Sequence, residues 1–331
     1  MNDITKRYKE TTNAIGVTLL VWVILFLVFS GINLIAQTVA PTNAGSVSLE
    51  IALSIMYDVA YLIAFMLPAA VFYRLLRDSK TERMRLYVKL TWDTLLIVLA
   101  GVSCIFAFSY LNGIFMSFFE EPISDSMINE VGEYMPNYKL VLQFITIALV
   151  PAFCEEFLFR GVILSNLMPY GKGLAIVGSS VLFGLMHGNF HQFLYTTVAG
   201  VILGAVYVLT DSIWCSIFVH LINNSVSIVQ TAVIERFDDS TASVLFAIVE
   251  GSIFAVGVVS LVILVICRGK KAQKTSEEIV GVFGKSLEED DDSPKGFYVG
   301  LSISDSIRFF LCPPMLMFLV YSITNAFLRF I

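Results

Sequence analysis

Residues 14–36 read AIGVTLLVWVILFLVFSGINLIA, an apolar run without a charged side chain. An α-helix rises 1.5 Å per residue, so a run of this length can cross the roughly 30 Å of hydrocarbon in a bilayer. A secretory signal peptide also follows basic residues, but its apolar region is only about 7–15 residues long. We therefore expect residues 14–36 to form a first transmembrane helix that stays in the mature protein.

Similar apolar runs recur along the rest of the chain. Only helices and closed barrels satisfy their own backbone hydrogen bonds in lipid, and continuous rather than alternating apolar runs favour helices. The predicted spans cover about 14–36, 50–73, 93–118, 140–162, 174–190, 192–210, 213–231 and 244–267, and a ninth covers about 309–330. The expected fold class is an all-α polytopic membrane protein, with an eight-helix core and a ninth, C-terminal transmembrane helix added to it.

The composition supports a membrane protein and argues against a soluble one. Of the 331 residues, 57% are hydrophobic and 15% are charged, against about 45–50% and about 25% in soluble domains. The lipid bilayer is therefore an expected partner, and nucleic acid is not. The five cysteines lie in or at the ends of apolar runs without a C-x-x-C pair, which is typical of small core residues rather than of a disulfide framework.

The charges between the spans predict the orientation of the chain. Cytoplasmic loops carry an excess of Lys and Arg. If the N-terminus is cytoplasmic, so are the basic residues Arg74, Arg77, Lys80, Arg83, Arg85 and Lys89 after span two, and Arg268, Lys270, Lys271 and Lys274 after span eight. The loops expected outside are poor in positive charge. We predict a multi-pass protein of the cell membrane with a cytoplasmic N-terminus, and the short loops and basic faces are typical of a bacterial plasma membrane.

The chain divides into five predicted segments. Residues 1–139 hold spans one to three, 140–231 hold spans four to seven, 232–267 hold span eight, 268–303 form a charged cytoplasmic linker, and 304–331 hold the C-terminal span. The linker turns from basic to acidic and ends in a run of Glu and Asp before a proline. Such a run is typical of a solvated connection.

Ionisable side chains inside the spans indicate where function lies, because each costs a few kcal/mol to insert. Span four contains the stretch CEEFLFRG at residues 154–161. Glu156 and Arg160 are four residues apart and share a helix face, so we expect them to pair. Glu155 points about 100° away on the helix, and we expect it to be left free for chemistry.

Histidines and amides follow on the next spans. Span five contains Phe183 and His187, and span seven contains His220 and Asn224, which lie one turn apart and can face a single point. The third histidine, His191, falls near the predicted external end of span five. An interfacial histidine needs no catalytic explanation, so we expect no catalytic role for it.

These residue types match the needs of peptide hydrolysis, which requires a base for water, a group that manages protons, and donors for the oxyanion. Glu155, His187, His220 and Asn224 can fill those roles. Alternatively, Glu155, His187 and His220 could hold a zinc ion and leave one position open for water. The H-E-x-x-H pattern of the usual zinc helix is absent, and both possibilities stay open at this point.

Together these motifs resemble the CPBP family of intramembrane proteases, also called the CAAX protease and bacteriocin-processing or Abi family. The family pattern is E-E-x-x-x-R, then F-x-x-x-H, then H-x-x-x-N. The stretches at residues 200–207 and 211–214 are also similar to it. The resemblance covers roughly residues 140–230. The sequence departs from the family at Asp211, where glycine is usual, which leaves the geometry of that short loop open.

The resemblance implies an all-helical fold with a conical cavity open to the cytoplasm and to lipid. It implies that Glu155 activates water with His187 and that His220 and Asn224 stabilise the oxyanion. Glu156 and Arg160 would then support the site. The family is labelled metalloprotease, but a metal-independent mechanism driven by glutamate suits the same residues, so the expected cofactor is none, with Zn²⁺ as the alternative.

The resemblance also implies a substrate class. The expected substrate is a membrane-associated peptide or protein. Eukaryotic members cleave prenylated C-terminal tails, whereas bacterial members process or guard against peptides or regulate other membrane proteins. The motifs do not choose between these substrates.

Two other functions fit parts of the sequence. A catalytically silent scaffold, or a bacteriocin-immunity or regulatory protein of the same fold, would need none of the four polar residues that the chain retains. A transporter could use the polar cluster as a proton relay, but the two related halves common in transporters are not found in this sequence. We therefore favour an intramembrane endopeptidase.

Overall fold

The computed structural model describes residues 3–39, 47–76, 81–88, 90–118, 136–267, 309 and 311–328. In this part of the chain all regular elements are helices, as predicted. They are α1 (Asp3–Val39), α2 (Val47–Leu75), α3 (Trp92–Met116), α4 (Asn137–Tyr170), α5 (Lys172–Met186), α6 (Phe190–Thr210), α7 (Ile213–Ile234), α8 (Asp239–Cys267) and α9 (Pro313–Leu328). The charged linker predicted at 268–303 lies outside the described residues.

Seven helices of the described ranges are long and apolar enough to cross a membrane: α1 to α4 and α6 to α8. The all-α polytopic fold is thereby confirmed. Helix α5 has 15 residues, about 22 Å at the usual rise. It ends four residues earlier than predicted, because the backbone turns at Gly188, whose φ of 56° favours glycine.

Helix α4 is not a uniform α-helix. Its α-helical middle, Val150–Glu156, lies between two π-helical stretches, Phe144–Leu149 and Phe157–Leu164. π-helical turns insert an extra residue per turn and occur frequently at functional sites. Here they flank the two adjacent glutamates and change the direction in which α4 presents the side chains on either side of them.

The buried apolar side chains form two clusters. The larger one joins residues of α1, α2, α4, α5, α6, α7 and α9, and the smaller one joins residues of α3, α6 and α7. Helix α8 packs closely along α3, where a Cβ added to Gly257 would clash with the side chain of Ser103. Helices α6 and α7 contribute to both clusters, so residues between them lie at the centre of the molecule.

The ninth helix belongs to the packed core and is not simply an addition to it. Met315 and Phe318 of α9 are fully buried, and a Cβ on Gly16 of α1 would lie 2.7 Å from the Met315 backbone nitrogen. The thiol of Cys312 also donates to the Thr12 carbonyl at 3.6 Å. The C-terminal helix thus covers part of the N-terminal half of α1.

The segment 81–88 between α2 and α3 is fixed against the junction of α6 and α7. Asp211 at this junction forms an ion pair with Arg85 and accepts a hydrogen bond from Tyr87, which raises the pKa of the Tyr87 hydroxyl. Trp214 Nε1 donates to the Leu86 carbonyl at 2.8 Å. Asp211 adopts the left-handed conformation, with a φ of 57°. This explains a preference for glycine there, and Asp is among the few other residues that tolerate it.

Candidate active site

The Glu156 carboxylate is the centre of a buried polar network. As the i,i+4 spacing predicted, Arg160 Nη1 donates to its Oε1 at 2.8 Å, and both side chains are almost completely buried. Arg160 Nη2 donates to the Gly200 carbonyl of α6 at 3.0 Å. The Ser216 hydroxyl of α7 donates to the second Glu156 oxygen. This buried ion pair and its hydrogen bonds join α4, α6 and α7 at one point, and Arg160 Nε is the one guanidinium nitrogen without a hydrogen-bond partner among the described residues.

As predicted, Glu155 does not pair with Arg160. Its carboxylate nevertheless has other partners. Its Oε1 accepts a hydrogen bond from the hydroxyl of Tyr61, which lies in the middle of α2. Its Oε2 lies 3.7 Å from His220 Nε2. The side chain is 5% exposed. Glu155 is therefore positioned by a tyrosine from a helix outside the motif region.

The His220 imidazole lies between the two glutamates. Its Nδ1 is 2.9 Å from Glu156 Oε1. Because an ionised carboxylate only accepts hydrogen bonds, Nδ1 carries a proton in this contact. A carboxylate on one ring nitrogen fixes both the tautomer and the orientation of the ring. The other nitrogen, Nε2, is thereby directed towards Glu155.

His187 lies at the C-terminal end of α5, on the other side of Phe183. Its Nδ1 donates to the Phe183 carbonyl at 2.9 Å, which leaves Nε2 as the ring nitrogen available to other groups. The Phe183 ring packs edge-on against both imidazoles, with centroid distances of 4.9 Å to His187 and 5.9 Å to His220. Phe183 thus separates the two histidines and holds the position of each.

Two adjacent amides follow His220 on α7. Asn224, the predicted oxyanion donor, donates to the Ile147 carbonyl at 3.3 Å, a long contact that a substrate oxygen could replace. Asn223 accepts from the Tyr195 hydroxyl at 2.6 Å and donates to Asn224 Oδ1 at 3.3 Å. The amide group of Asn224 is therefore oriented through its neighbour.

All four predicted catalytic residues line a single cavity of about 750 Å³. Its wall also includes side chains of α1, α2 and α6, among them Asn33, Tyr57, Tyr61, Gln192 and Tyr195. The volume is within the usual range of about 300–1,000 Å³ for ligand sites. The cavity thus brings Glu155, His187, His220 and Asn224 to one space that can hold a segment of peptide.

His191, for which no catalytic role was predicted, lies in the first turn of α6 and is half-buried. Its backbone nitrogen donates to the Asn189 side chain at 2.9 Å, an N-cap contact. It is not among the residues of the cavity wall.

Several residues of the site were missed from the sequence. Ser216, Tyr195 and Asn223 gave no signal beyond being polar within a span. Tyr61 could have been found, because the ionisable Asp58 lies one turn before it, inside the second span. Asp58 accepts from Thr146 of α4 at 3.3 Å, so α2 contacts α4 at two successive turns.

The three side chains considered for zinc, Glu155, His187 and His220, are not grouped as a set of metal ligands in the described part of the chain. Glu155 and His220 lie together, but in the described ranges no three His, Cys, Asp or Glu side chains come close enough to hold an ion. A catalytic zinc needs three protein ligands at about 2.0–2.3 Å. The arrangement of these side chains therefore does not fit a zinc ion held by Glu155, His187 and His220.

Comparison with known proteins identifies the region that holds the site. Residues 137–226 match the family described as type II CAAX prenyl endopeptidase Rce1-like. A Bacillus subtilis (strain 168) protein named "Putative membrane peptidase YdiL" is 29% identical over 139 residues, which are 38% of this chain and 55% of that protein. The chain thus spans about half the length of the curated relative it matches. No solved structure matches the chain.

The matched residues run from the start of α4 to the middle of α7 and include every motif residue described above. Helices α1 to α3, α8 and α9 lie outside the match. Within residues 137–226, the resemblance of this chain to the type II CAAX prenyl endopeptidase family is confirmed.

Proposed function

We propose that this protein is an intramembrane endopeptidase that hydrolyses a peptide bond in a membrane-associated peptide or protein, with Glu155 as the base. The observation that carries the proposal is the contact between Glu155 and His220, 3.7 Å apart in the wall of the cavity. A carboxylate that can take a proton and an imidazole that can donate one are thus held side by side, on two neighbouring membrane-spanning helices. A purely structural contact could be made by less costly side chains.

The reaction begins with water placed between Glu155 and the substrate carbonyl. Glu155 takes a proton from the water, with His187 aligning it, and the oxygen attacks the carbonyl carbon. The carbonyl oxygen becomes an oxyanion, which accepts hydrogen bonds from Asn224 and from His220. The C–N bond then breaks, and the proton held by Glu155 passes to the leaving amine. The products are a carboxylic acid and an amine, which exchange a proton to give a carboxylate and an ammonium group.

The role of His220 in this scheme depends on its neighbours. To donate to the oxyanion, the ring must carry a proton on Nε2 as well as on Nδ1. The carboxylates of Glu155 and Glu156 face these two nitrogens at 3.7 Å and 2.9 Å, so each nitrogen has an acceptor for a proton. Glu156 and Arg160 then act as positioning residues, since they hold His220 and do not themselves line the cavity.

The decisive experiment replaces Glu155 by glutamine. The amide side chain retains the shape of the carboxylate and an oxygen that can accept from Tyr61, but it cannot take a proton. We expect Glu155→Gln to fold and to lose about 10²–10⁴-fold in activity, the usual contribution of a positioned base. Peptides and proteins that accumulate in the membranes of cells carrying the variant, measured by mass spectrometry, would reveal the substrates.

A matched control is Glu82→Gln, an exposed glutamate remote from the cavity whose backbone nitrogen, not its carboxylate, bonds to Asn166. It should retain wild-type activity. A catalytically silent scaffold would instead keep its cellular phenotype when Glu155 is replaced. A Glu155→Gln variant that is folded and fully active would therefore refute the proposed function.

A further inference from the structure

The catalytic cavity extends towards one face of the membrane. Besides the deep residues, its wall includes Asn33 near the end of α1, Ser54 near the start of α2, Gln192 in the first turn of α6 and Ser227 in the second half of α7. These helix ends therefore lie together on one side of the molecule. The loops that follow α1 and precede α2 and α6 belong to that side, which we name the cavity face.

A second, polar cavity of about 670 Å³ continues the first one towards the same face. The two share seven residues along their walls, namely His187, Gln192, Tyr195, Thr196, Asn223, Asn224 and Ser227.

The second cavity adds polar side chains from further along the helices. These include Tyr110 near the end of α3, Gln230 near the end of α7, and Glu250 of α8, which accepts from Gln230 at 3.1 Å. Amide and hydroxyl groups of this kind suit a peptide backbone, which offers both donors and acceptors.

The opposite side of the site is closed. On the side of His220 away from the cavity face, four residues are at most 1% exposed, namely Glu156, Arg160, Ser216 and Tyr207. The Tyr207 hydroxyl contacts the Ser165 hydroxyl at 2.6 Å. This layer fills the space between the helices and separates the cavity from the membrane face beneath it.

The segment 81–88 lies under this closed layer. Arg85 lies over the Tyr207 ring at 5.7 Å, and the Glu82 backbone nitrogen donates to Asn166 at 2.9 Å. The start of α1 is at the same end, because Thr11 contacts the Tyr170 hydroxyl at 3.0 Å. We name this end, which holds the N-terminus, the closed face.

The basic side chains are concentrated at the closed face. By position in the sequence, some lie in the helix ends at this face, namely Lys6, Arg7 and Lys9 at the start of α1, Arg74 at the end of α2 and Lys172 at the start of α5. Others follow α2 or α8, namely Arg77, Lys80, Arg83, Arg85 and Lys89, and Arg268, Lys270, Lys271 and Lys274. By position in the sequence, the ends and loops of the cavity face have Lys139 and Arg236, and Arg329 after α9, whose Asn325 approaches Gly188 at this face. The loop between α3 and α4 also has acidic residues at 120, 121, 125, 130 and 133. Lys and Arg are enriched on the cytoplasmic side of membrane proteins, so the closed face is the cytoplasmic one.

We propose that the catalytic cavity opens on the extracytoplasmic side, and that the substrate is a peptide segment reaching it from that side rather than a cytoplasmic tail. This proposal depends on the proposed function only in calling the bound peptide a substrate. It also resolves two expectations that cannot both hold in this fold. A cytoplasmic N-terminus and a cavity open to the cytoplasm exclude each other, because α1 starts at the closed face.

The test is the labelling of single introduced cysteines in the full-length protein in the membrane of intact bacterial cells. Ser227→Cys reports on the cavity wall, Ser240→Cys on the exposed start of α8 at the cavity face, and Arg83→Cys on the exposed surface of the closed face. The probe is a charged maleimide that does not cross membranes. We expect the first two to be labelled several-fold above the unsubstituted chain, and Arg83→Cys only after the membrane is permeabilised.

Labelling of Arg83→Cys in intact cells would overturn the proposal, as would labelling of Ser227→Cys only after permeabilisation. Failure of Ser227→Cys under both conditions would also contradict it, since the cavity wall would then be inaccessible. Ser240→Cys and Arg83→Cys determine the orientation even if Ser227→Cys does not fold. Labelling requires no catalysis, so an inactive enzyme and a cavity that faces the cytoplasm give separate results.

Discussion

The Nε2 atom of His220 lies 3.7 Å from Glu155 Oε2, while the Nδ1 atom of the same ring lies 2.9 Å from Glu156 Oε1. One imidazole therefore connects the carboxylate that we assign to the reaction with the carboxylate that is neutralised by Arg160. The adjacent glutamates of the motif have different surroundings for this reason. Glu155 faces the cavity, and Glu156 faces a completely buried arginine.

The first prediction concerns the buried pair. We expect Glu156→Gln to lower the free energy of unfolding by about 3–5 kcal/mol, because the Arg160 charge would remain buried without its counter-charge. Activity should fall as well, since His220 loses the partner of its Nδ1. The measurements are thermal unfolding in detergent, followed by tryptophan fluorescence, and turnover of a membrane substrate.

The double variant Glu156→Gln, Arg160→Met provides the control. Removing both charges should restore most of the stability, because a neutral side chain of similar length fills the space of Arg160. Activity should stay low, since the neutral amide orients His220 less strongly than a carboxylate does. If the double variant regained full activity, Glu156 would not be a positioning residue for His220.

The second prediction concerns Tyr61, whose hydroxyl donates to Glu155. We expect Tyr61→Phe to reduce turnover by about 10-fold, corresponding to the roughly 1.5 kcal/mol of a hydrogen bond to a charged group, and to leave the fold unchanged. Tyr57→Phe is the matched control, because Tyr57 lies one turn earlier on α2 and lines the same cavity. Equal losses of turnover in Tyr61→Phe and Tyr57→Phe would mean that the hydrogen bond from Tyr61 to Glu155 makes no specific contribution to activity.

The sequence predicted those parts of the site that depend on local spacing. The pairing of Glu156 with Arg160, and the placement of His220 and Asn224 along one wall, follow from residues one helical turn apart. Contacts between distant helices could not be predicted in this way. Tyr61 reaches Glu155 across 94 positions of the chain, and Ser216 reaches Glu156 across 60.

The predicted helix limits were accurate where apolar runs end at polar loops, and less accurate elsewhere. Helix α1 starts 11 residues before the predicted span, because Tyr8 and Thr11 pack on Tyr170 although the local sequence is polar. Helix α4 continues to Tyr170, past the predicted residue 162, through a stretch that is buried in the protein. Tertiary packing decided both limits, and hydropathy alone does not contain that information.

The third prediction concerns Asp211, the only residue other than glycine with a positive φ in the described part of the chain. We expect Asp211→Ala to be less stable than Asp211→Gly by about 1 kcal/mol, because a Cβ without a local hydrogen bond is strained in the left-handed region. Both variants lose the contacts to Arg85 and Tyr87, so the difference isolates the backbone. Thermal unfolding of the two proteins measures it, and an Ala variant as stable as the Gly variant would contradict the assignment.

The last prediction concerns metal dependence. The carboxylate on His220 Nδ1 is an arrangement that also supports zinc ligands, and Glu155 faces the other nitrogen. Tyr61 holds the second Glu155 oxygen, however, and no third donor of the described residues completes the set. We expect turnover to persist after dialysis against a strong chelator, and native mass spectrometry of the active protein to show no stoichiometric zinc. Loss of activity on chelation, with recovery when zinc is returned at one ion per chain, would instead require His187 to move towards Glu155 and His220.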